Sequence, residues 1–280
     1  MENITRTVYG SYLQTCMLLA LPFVVKNHTT LNEKFSIQNG VLPDISDIPH
    51  MRYYAIGNGG HRFVVGGNGL SKPEPIQHRA TDAACFNHIP FVMREPSADL
   101  SVSERAKYAL RREETHNGTR YIAYYLKRMD FTGVVPAMEY KTVRDGEVTT
   151  TPFVPDTSNL NPTPPDLNNS GVNVTTGDYT TTTAKITLTL TQAEVAELLA
   201  VAEILYQDDG YAIISELALS SGIDKIVQSP GPGSTTISFN DAIAVQVVSH
   251  MNAFFPLSFS NNGVDVLLDV GATEPLFSLS

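Results

Sequence analysis

Thr235–Phe254 reads TTISFNDAIAVQVVSHMNAF, and the assignment of its middle decides the fold. Thr235–Phe239 is a short strand by composition. Asn240, whose side chain suits the N-cap of a first helical turn, precedes the apolar run DAIAVQVVSHMNAFF, so a helix through Phe254 is expected. Upstream, Lys185–Leu190 (KITLTL) alternates with period two and places Ile186, Leu188 and Leu190 on one face of a strand. Thr191 with Glu194 three residues on forms a capping box, and AEVAELLAVAEILY supplies the helical period as far as Gly210. Tyr211–Leu219 (YAIISELAL) and Asp265–Val270 read as strands. The C-terminal part is thus expected to be β-strands with two capped amphipathic helices.

The N-terminal part opens with an apolar helix, about Thr7 to Ala20, stopped by Pro22. Two short β-type runs, Tyr53–Ile56 and Arg62–Val65, flank Gly-rich turns in RYYAIGNGGHRFVVGGNG and predict a hairpin. Ser101 and Glu104 form another capping box, predicting a helix from Val102 to Glu114. Met138–Val143 joins Glu147–Val154 through Arg144-Asp145-Gly146, a hairpin whose Asp-Gly tolerates positive φ. Between them the two parts give a mixed α+β class, with domains at 1–152 and 184–280 joined by a Pro/Asn/Thr-rich linker or arm, 153–183.

Charge divides at the same place. The chain has 280 residues, 42% of them hydrophobic and only 17% charged, with 19 Lys+Arg against 29 Asp+Glu. Residues 1–144 hold 17 basic and 13 acidic residues, and residues 145–280 hold 2 and 16. A balance of +4 followed by one of −14 offers two unlike faces for head-to-tail contact between subunits. The overall acidity argues against nucleic acid as a partner, although Arg105–Arg112 stands near several tyrosines.

Two cysteines, Cys16 and Cys85, make no disulfide framework. The longest apolar stretch, Cys16–Val25, is far short of the ~20 residues of a membrane span and lacks the basic flank of a signal peptide. Synthesis in a cytoplasm without membrane insertion is expected, which leaves the five Asn-x-Ser/Thr sequons as by-products of composition.

Motifs that carry chemistry are sparse. Gly57 and Gly59 fit the start of a dinucleotide fingerprint, but Arg62 stands at its third glycine and a β-type run follows where a helix is required. No Gly-Lys-Ser/Thr and no Gly-x-Ser-x-Gly occurs. Adjacent carboxylates at Glu113-Glu114 and Asp208-Asp209 point apart and read as solvated surface. His61, His78, Asp82, Cys85 and His88 lie within 28 residues, and Cys85-Phe-Asn-His88 has a spacing that can close on zinc. His61, His78, Cys85 and His88 are therefore weak metal candidates; the alternative is a buried Cys85 with histidines bonded to loop backbone. No catalytic residue and no cofactor is expected.

Tyr53–Asp130 (YYAIGNGGHRFV…PIQHRATDAACFNHIPFVMREPSADLSVSERAKYALRREETHNGTRYIAYYLKRMD) resembles virion structural proteins of tailed bacteriophages. The resemblance rests on a Gly-Asn-Gly-Gly-His turn, a His/Asp/Phe-Asn-x-Ile-Pro-Phe loop and a Tyr-rich strand. Asp209–Asp224 (DGYAIISELALSSGID) is similar to an Ile-Ser/Thr-Glu-x-x-Leu strand of phage baseplate and tail-fibre attachment proteins, and VDVLLDVGATEPLF fits the same style. The resemblance implies a non-enzymatic assembly protein of the virion. It would be a baseplate or tail component, with a neck or collar position as the alternative, present in several copies and bound to itself and to neighbouring tail, baseplate or neck proteins. Gly57, Gly59, Gly60, Phe86, Pro90, Ile214, Glu216 and Leu219 are then the expected packing and assembly residues. From another class, a metal-dependent or carbohydrate-active host-surface enzyme is the competing expectation.

Overall fold

Antiparallel β-structure dominates: among the described residues 55% are strand and 16% helical. The computed structural model describes residues 3–19, 35, 47–154, 172–173, 178–230, 236–275 and 278–279. In chain order the elements are β1 (Asn3–Arg6), α1 (Val8–Leu19), β2 (His50–Gly57), β3 (His61–Val65), β4 (Ser71–Pro75), β5 (His88–Ile89) and β6 (Val92–Arg94). There follow α2 (Val102–Arg105), β7 (Arg111–His116), β8 (Thr119–Tyr124), β9 (Lys127–Arg128), β10 (Ala137–Arg144), β11 (Glu147–Pro152), β12 (Val172–Asn173) and β13 (Asp178–Thr191). The last are α3 (Gln192–Tyr206), β14 (Ile213–Pro230), β15 (Thr236–Pro256), β16 (Gly263–Pro275) and β17 (Ser278–Leu279).

The mixed α+β expectation is therefore corrected, and the deciding stretch is where it fails. Asp241–Phe254 is the middle of β15, not a capped helix, and it pairs with β14 from Thr236↔Pro230 to Pro256↔Ile213. The run Ala242–Val247 is buried throughout, so neither face shows a polar side from which a period could be read. Its β-branched residues favour the strand. Register shifts interrupt the long hairpin, and at one of them Ala244 takes φ +54, the left-handed conformation of a bulge. The second expected long helix is also shorter than its cap implied. The Ser101/Glu104 box forms, but the helix ends after one turn at Arg105, because Ala109 N–H bonds Leu126 O (2.7 Å) and Tyr125 N–H bonds Leu110 O (3.0 Å). Arg111–His116 is then a strand paired to β8. Nor do the two runs around Gly57–Gly60 form one hairpin: β2 pairs with β14, while β3 pairs with β4 in a separate sheet. The Asp-Gly hairpin of β10 and β11 is present, with Asp145 and Gly146 at φ 52 and 85.

The chain divides into two compact units. The larger comprises Met1–Met129 and Leu190–Val264. Its main sheet runs β1-β15-β14-β2-β5, with β9 beside β2, and a smaller sheet runs β6-β8-β7. Tyr53, Ala218 and Val245 of the main sheet, Met93 and Ala123 of the smaller one and Val201 of α3 share one buried cluster. α3 starts at its capping box, Thr191 Oγ1 accepting from Glu194 N–H at 3.3 Å and Glu194 Oε2 from Thr191 N–H at 2.8 Å, and ends at Gln207 in the left-handed conformation. The smaller unit, Asp130–Thr189 with Asp265–Ser280, contains the sheet β11-β10-β13-β16. Most of the Pro/Asn/Thr segment 155–177 lies outside the described residues, while Thr180–Thr183 is strand, paired with β10.

Ionic contacts in the larger unit cross the sequence from the basic to the acidic half. Arg94 meets Glu197, Arg112 meets Asp241 (3.0 Å), Lys127 meets Glu194 (2.5 Å) and Arg128 meets Asp224 (2.5 Å). The unlike charges inferred from composition thus find one another within the subunit. The smaller unit holds 3 Lys+Arg and 10 Asp+Glu, so most of the net charge of −10 belongs to it.

Candidate functional site

Glu216 lies near the start of β14, flanked by β15 and β2, and is fully buried. A carboxylate in that position needs donors for both oxygens. Oε1 accepts from His78 Nε2 (2.8 Å) and from Phe86 N–H (2.7 Å); Oε2 accepts from Gly59 N–H (2.8 Å) and from Asn87 N–H (3.3 Å). One side chain therefore fastens two loops, the Gly57–Gly60 turn and the His78–Asn87 segment, to the central strand. Glycine is required for the approach: a Cβ on Gly57 would stand 2.6 Å from Glu216 Oε2, and one on Gly60 would stand 2.5 Å from Glu216 Cγ. The neighbouring Ser215 completes the turn by accepting from Gly60 N–H at 2.9 Å.

His78 is the hub of the second loop. Its Nε2 faces Glu216 and its Nδ1 faces Asp82 Oδ2 at 3.2 Å; the same Asp82 oxygen accepts from Arg79 N–H at 2.8 Å. The ring is sandwiched between Phe86 (4.1 Å, 6°) and His250 of β15 (3.8 Å, 10°). His250 Nε2 lies 3.1 Å from Asp82 O, which sets its proton on that nitrogen. Burial first, and then the adjacent His78, push the His250 pKa down to about 4, so this ring is neutral at physiological pH.

Towards solvent the loops carry a polar and aromatic surface. Phe86 is 48% exposed and Tyr211 54% exposed. Asn87 Nδ2 donates to Asn58 Oδ1 (2.6 Å) and to Tyr206 Oη (3.0 Å), and Asn58 Nδ2 donates to Tyr206 Oη (3.2 Å) and Tyr211 O (3.4 Å). The Tyr206 and Tyr211 rings lie 5.2 Å apart and are tilted by 35°. The side chains of His78 and Glu216 have no exposed surface. In this arrangement they set the shape of the loops above them.

Of the residues singled out on the sequence, Gly57, Gly59, Gly60, Phe86 and Glu216 converge on this one carboxylate. Pro90 is buried between β5 and β6, and Ile214 and Leu219 are buried on β14. Of the metal candidates, His78 has a carboxylate at each ring nitrogen, and His88 Nε2 accepts from Cys85 N–H at 3.0 Å. His61 packs edge-on against Phe63 and Phe254. Among the described residues no group of three or more His, Cys, Asp or Glu is arranged to hold a metal ion. Sequence reading missed His250, which lay in a stretch assigned to a helix, and the partnership of Asn58, Asn87, Tyr206 and Tyr211, which only tertiary structure assembles. No curated protein and no solved structure matches the chain. A family model does: it covers residues 1–280, and the chain belongs to that family, DUF7208, a family of unknown function.

Proposed function

We propose that this DUF7208 member is a non-enzymatic assembly protein of a tailed phage particle. It would be made in the host cytoplasm, built into the tail, baseplate or neck in several copies, and bound there to itself and to neighbouring virion proteins. Support comes from the two resembling passages and, above all, from the way Glu216 fastens the loops that meet at its carboxylate. Four donors on one buried carboxylate hold Phe86 and Asn87 in place, and Asn87 in turn orders Asn58 and Tyr206. A surface of exposed aromatics and amides on a rigid frame loses little conformational freedom on binding, which favours permanent contacts. Because the opposite charges of the two sequence halves meet inside the subunit, the contact surface is assigned to these loops and not to complementary halves.

Mass spectrometry of density-purified particles from a phage encoding the chain tests the proposal. Peptides spanning both units are expected at a copy number well above one per particle. A chain abundant in the infected lysate and missing from purified particles would overturn it.

A further inference from the structure

We infer that the Tyr206–Tyr211 surface is a docking site for an arginine or lysine side chain presented by a protein partner. Tyr206 ends α3 and Tyr211 closes a single 3₁₀ turn, Asp209–Tyr211. That turn is tight: Asp208 Oδ1 accepts from Gly210 N–H (2.9 Å) and Asp208 O from Tyr211 N–H (3.2 Å). The exposed residues Asp208 and Asp209 thus stand within three positions of the exposed Tyr211 in one short turn.

The hydrogen-bond inventory of the patch selects the ligand. Both amide protons of Asn87 are spent on Asn58 and Tyr206, and Asn58 Nδ2 is spent on Tyr206 and on Tyr211 O. Capacity remains mainly on acceptors: Asn87 Oδ1, the Tyr211 phenol oxygen and the two carboxylates. Elsewhere in the larger unit, acids such as Asp99, Asp224, Asp241, Glu194 and Glu197 are matched by arginine or lysine. Asp208 and Asp209 have no cationic partner among the described residues. Acceptors, ring faces and unmatched negative charge call for a cation rich in N–H donors. A planar guanidinium satisfies all three, stacking on Tyr211 while donating to a carboxylate, and is favoured over an ammonium.

The inference deepens the assembly reading by giving the chemistry of the neighbour, but its test does not depend on finding that neighbour. A dye-labelled Gly-Arg-Gly-Arg-Gly peptide is titrated by fluorescence anisotropy into the full-length protein at low salt, beside peptides with lysine or citrulline in place of arginine. Saturable arginine binding, weaker lysine binding and none for neutral citrulline are expected. Tyr211→Ala and the double variant Asp208→Asn/Asp209→Asn are each expected to weaken arginine binding about tenfold, with circular dichroism unchanged. The asparagine pair keeps the cap at position 208 and so tests the charge even if Tyr211→Ala is poorly folded. Equal binding by the double variant would assign the attraction to other acids and overturn the inference. So would absence of arginine binding, including the case in which a methyl glycoside panel binds instead. Absence from phage particles, by contrast, would overturn only the proposed function and leave the peptide result standing.

Discussion

His250 carries the clearest consequence at the scale of a single residue. In the unfolded chain it titrates near 6.5, and in the folded protein near 4. Its ring faces His78, whose nitrogens meet Asp82 and Glu216; both carboxylates act to raise the His250 pKa, but less strongly than burial and His78 lower it. A base whose folded pKa is depressed stabilises the fold fully above its unfolded pKa. That contribution falls as the pH drops from about 6.5 to about 4, as the unfolded state takes up the proton first. The full span corresponds to about 3 kcal/mol. Urea denaturation at pH 7.5, 6, 5 and 4 is expected to show this loss in the wild type and a flatter profile in His250→Gln; parallel profiles would refute the assignment. None of this was legible in the sequence, where His250 is one polar residue in an apolar run. Glu216 was more legible, because an acid inside YAIISELAL has either to be paired or to break the strand. The identity of its partners was not, since they lie some 130 to 157 positions away.

Local signals survived at the scale of elements, and non-local ones did not. Both capping boxes read from sequence are formed, because four consecutive residues contain the whole interaction. Where each helix ends, and whether Asp241–Phe254 is helix or strand, depended on neighbours: β8 and Leu126 claim the chain after Arg105, and β14 claims β15. Glu194 shows how a cap becomes more than local. Its carboxylate serves the box, meets Lys127 at 2.5 Å and accepts from Tyr108 Oη at 3.3 Å. Burial alone would raise its pKa, but Lys127 and the Thr191 bonds more than offset this, and the group stays below its ordinary value. Glu194→Ala would take its short ion pair from the largely buried Lys127 ammonium and remove the cap, an expected loss of about 3–5 kcal/mol. Adding Lys127→Met is expected to restore part of it in chemical denaturation. Strict additivity of the two changes would show that they are not coupled.

For the whole molecule, the division of charge was legible and its meaning was not. The sum of −10 conceals a larger unit of 16 basic and 19 acidic residues, many of whose cations are matched internally, and a smaller unit of three basic and ten acidic residues. The boundary between basic and acidic halves, near residue 144, is not a boundary of compact units. It separates the two members of ion pairs such as Arg112–Asp241 and Arg128–Asp224. A chain ending at residue 189 would lack α3, β14 and β15, and so the centre of the main sheet. Hydrogen exchange on that fragment is expected to show no protection in residues 50–57 and 119–128, which are paired or buried in the full chain. Native-like protection there would mean that the first segment folds alone.

The larger unit is written in two instalments with the first segment of the smaller one, Asp130–Thr189, between them, and translation must follow that order. At about 5–20 residues per second, roughly 6–25 s separate the emergence of Met129 from that of Pro256, which ends β15. Until β14 emerges β2 lacks its central partner and its tyrosines are uncovered, and Lys127, Arg128 and Arg112 wait in turn for Glu194, Asp224 and Asp241. The nascent chain is a basic, aromatic, edge-exposing polypeptide before it is an acidic protein. A segment of that kind is liable to mispair until the second instalment arrives.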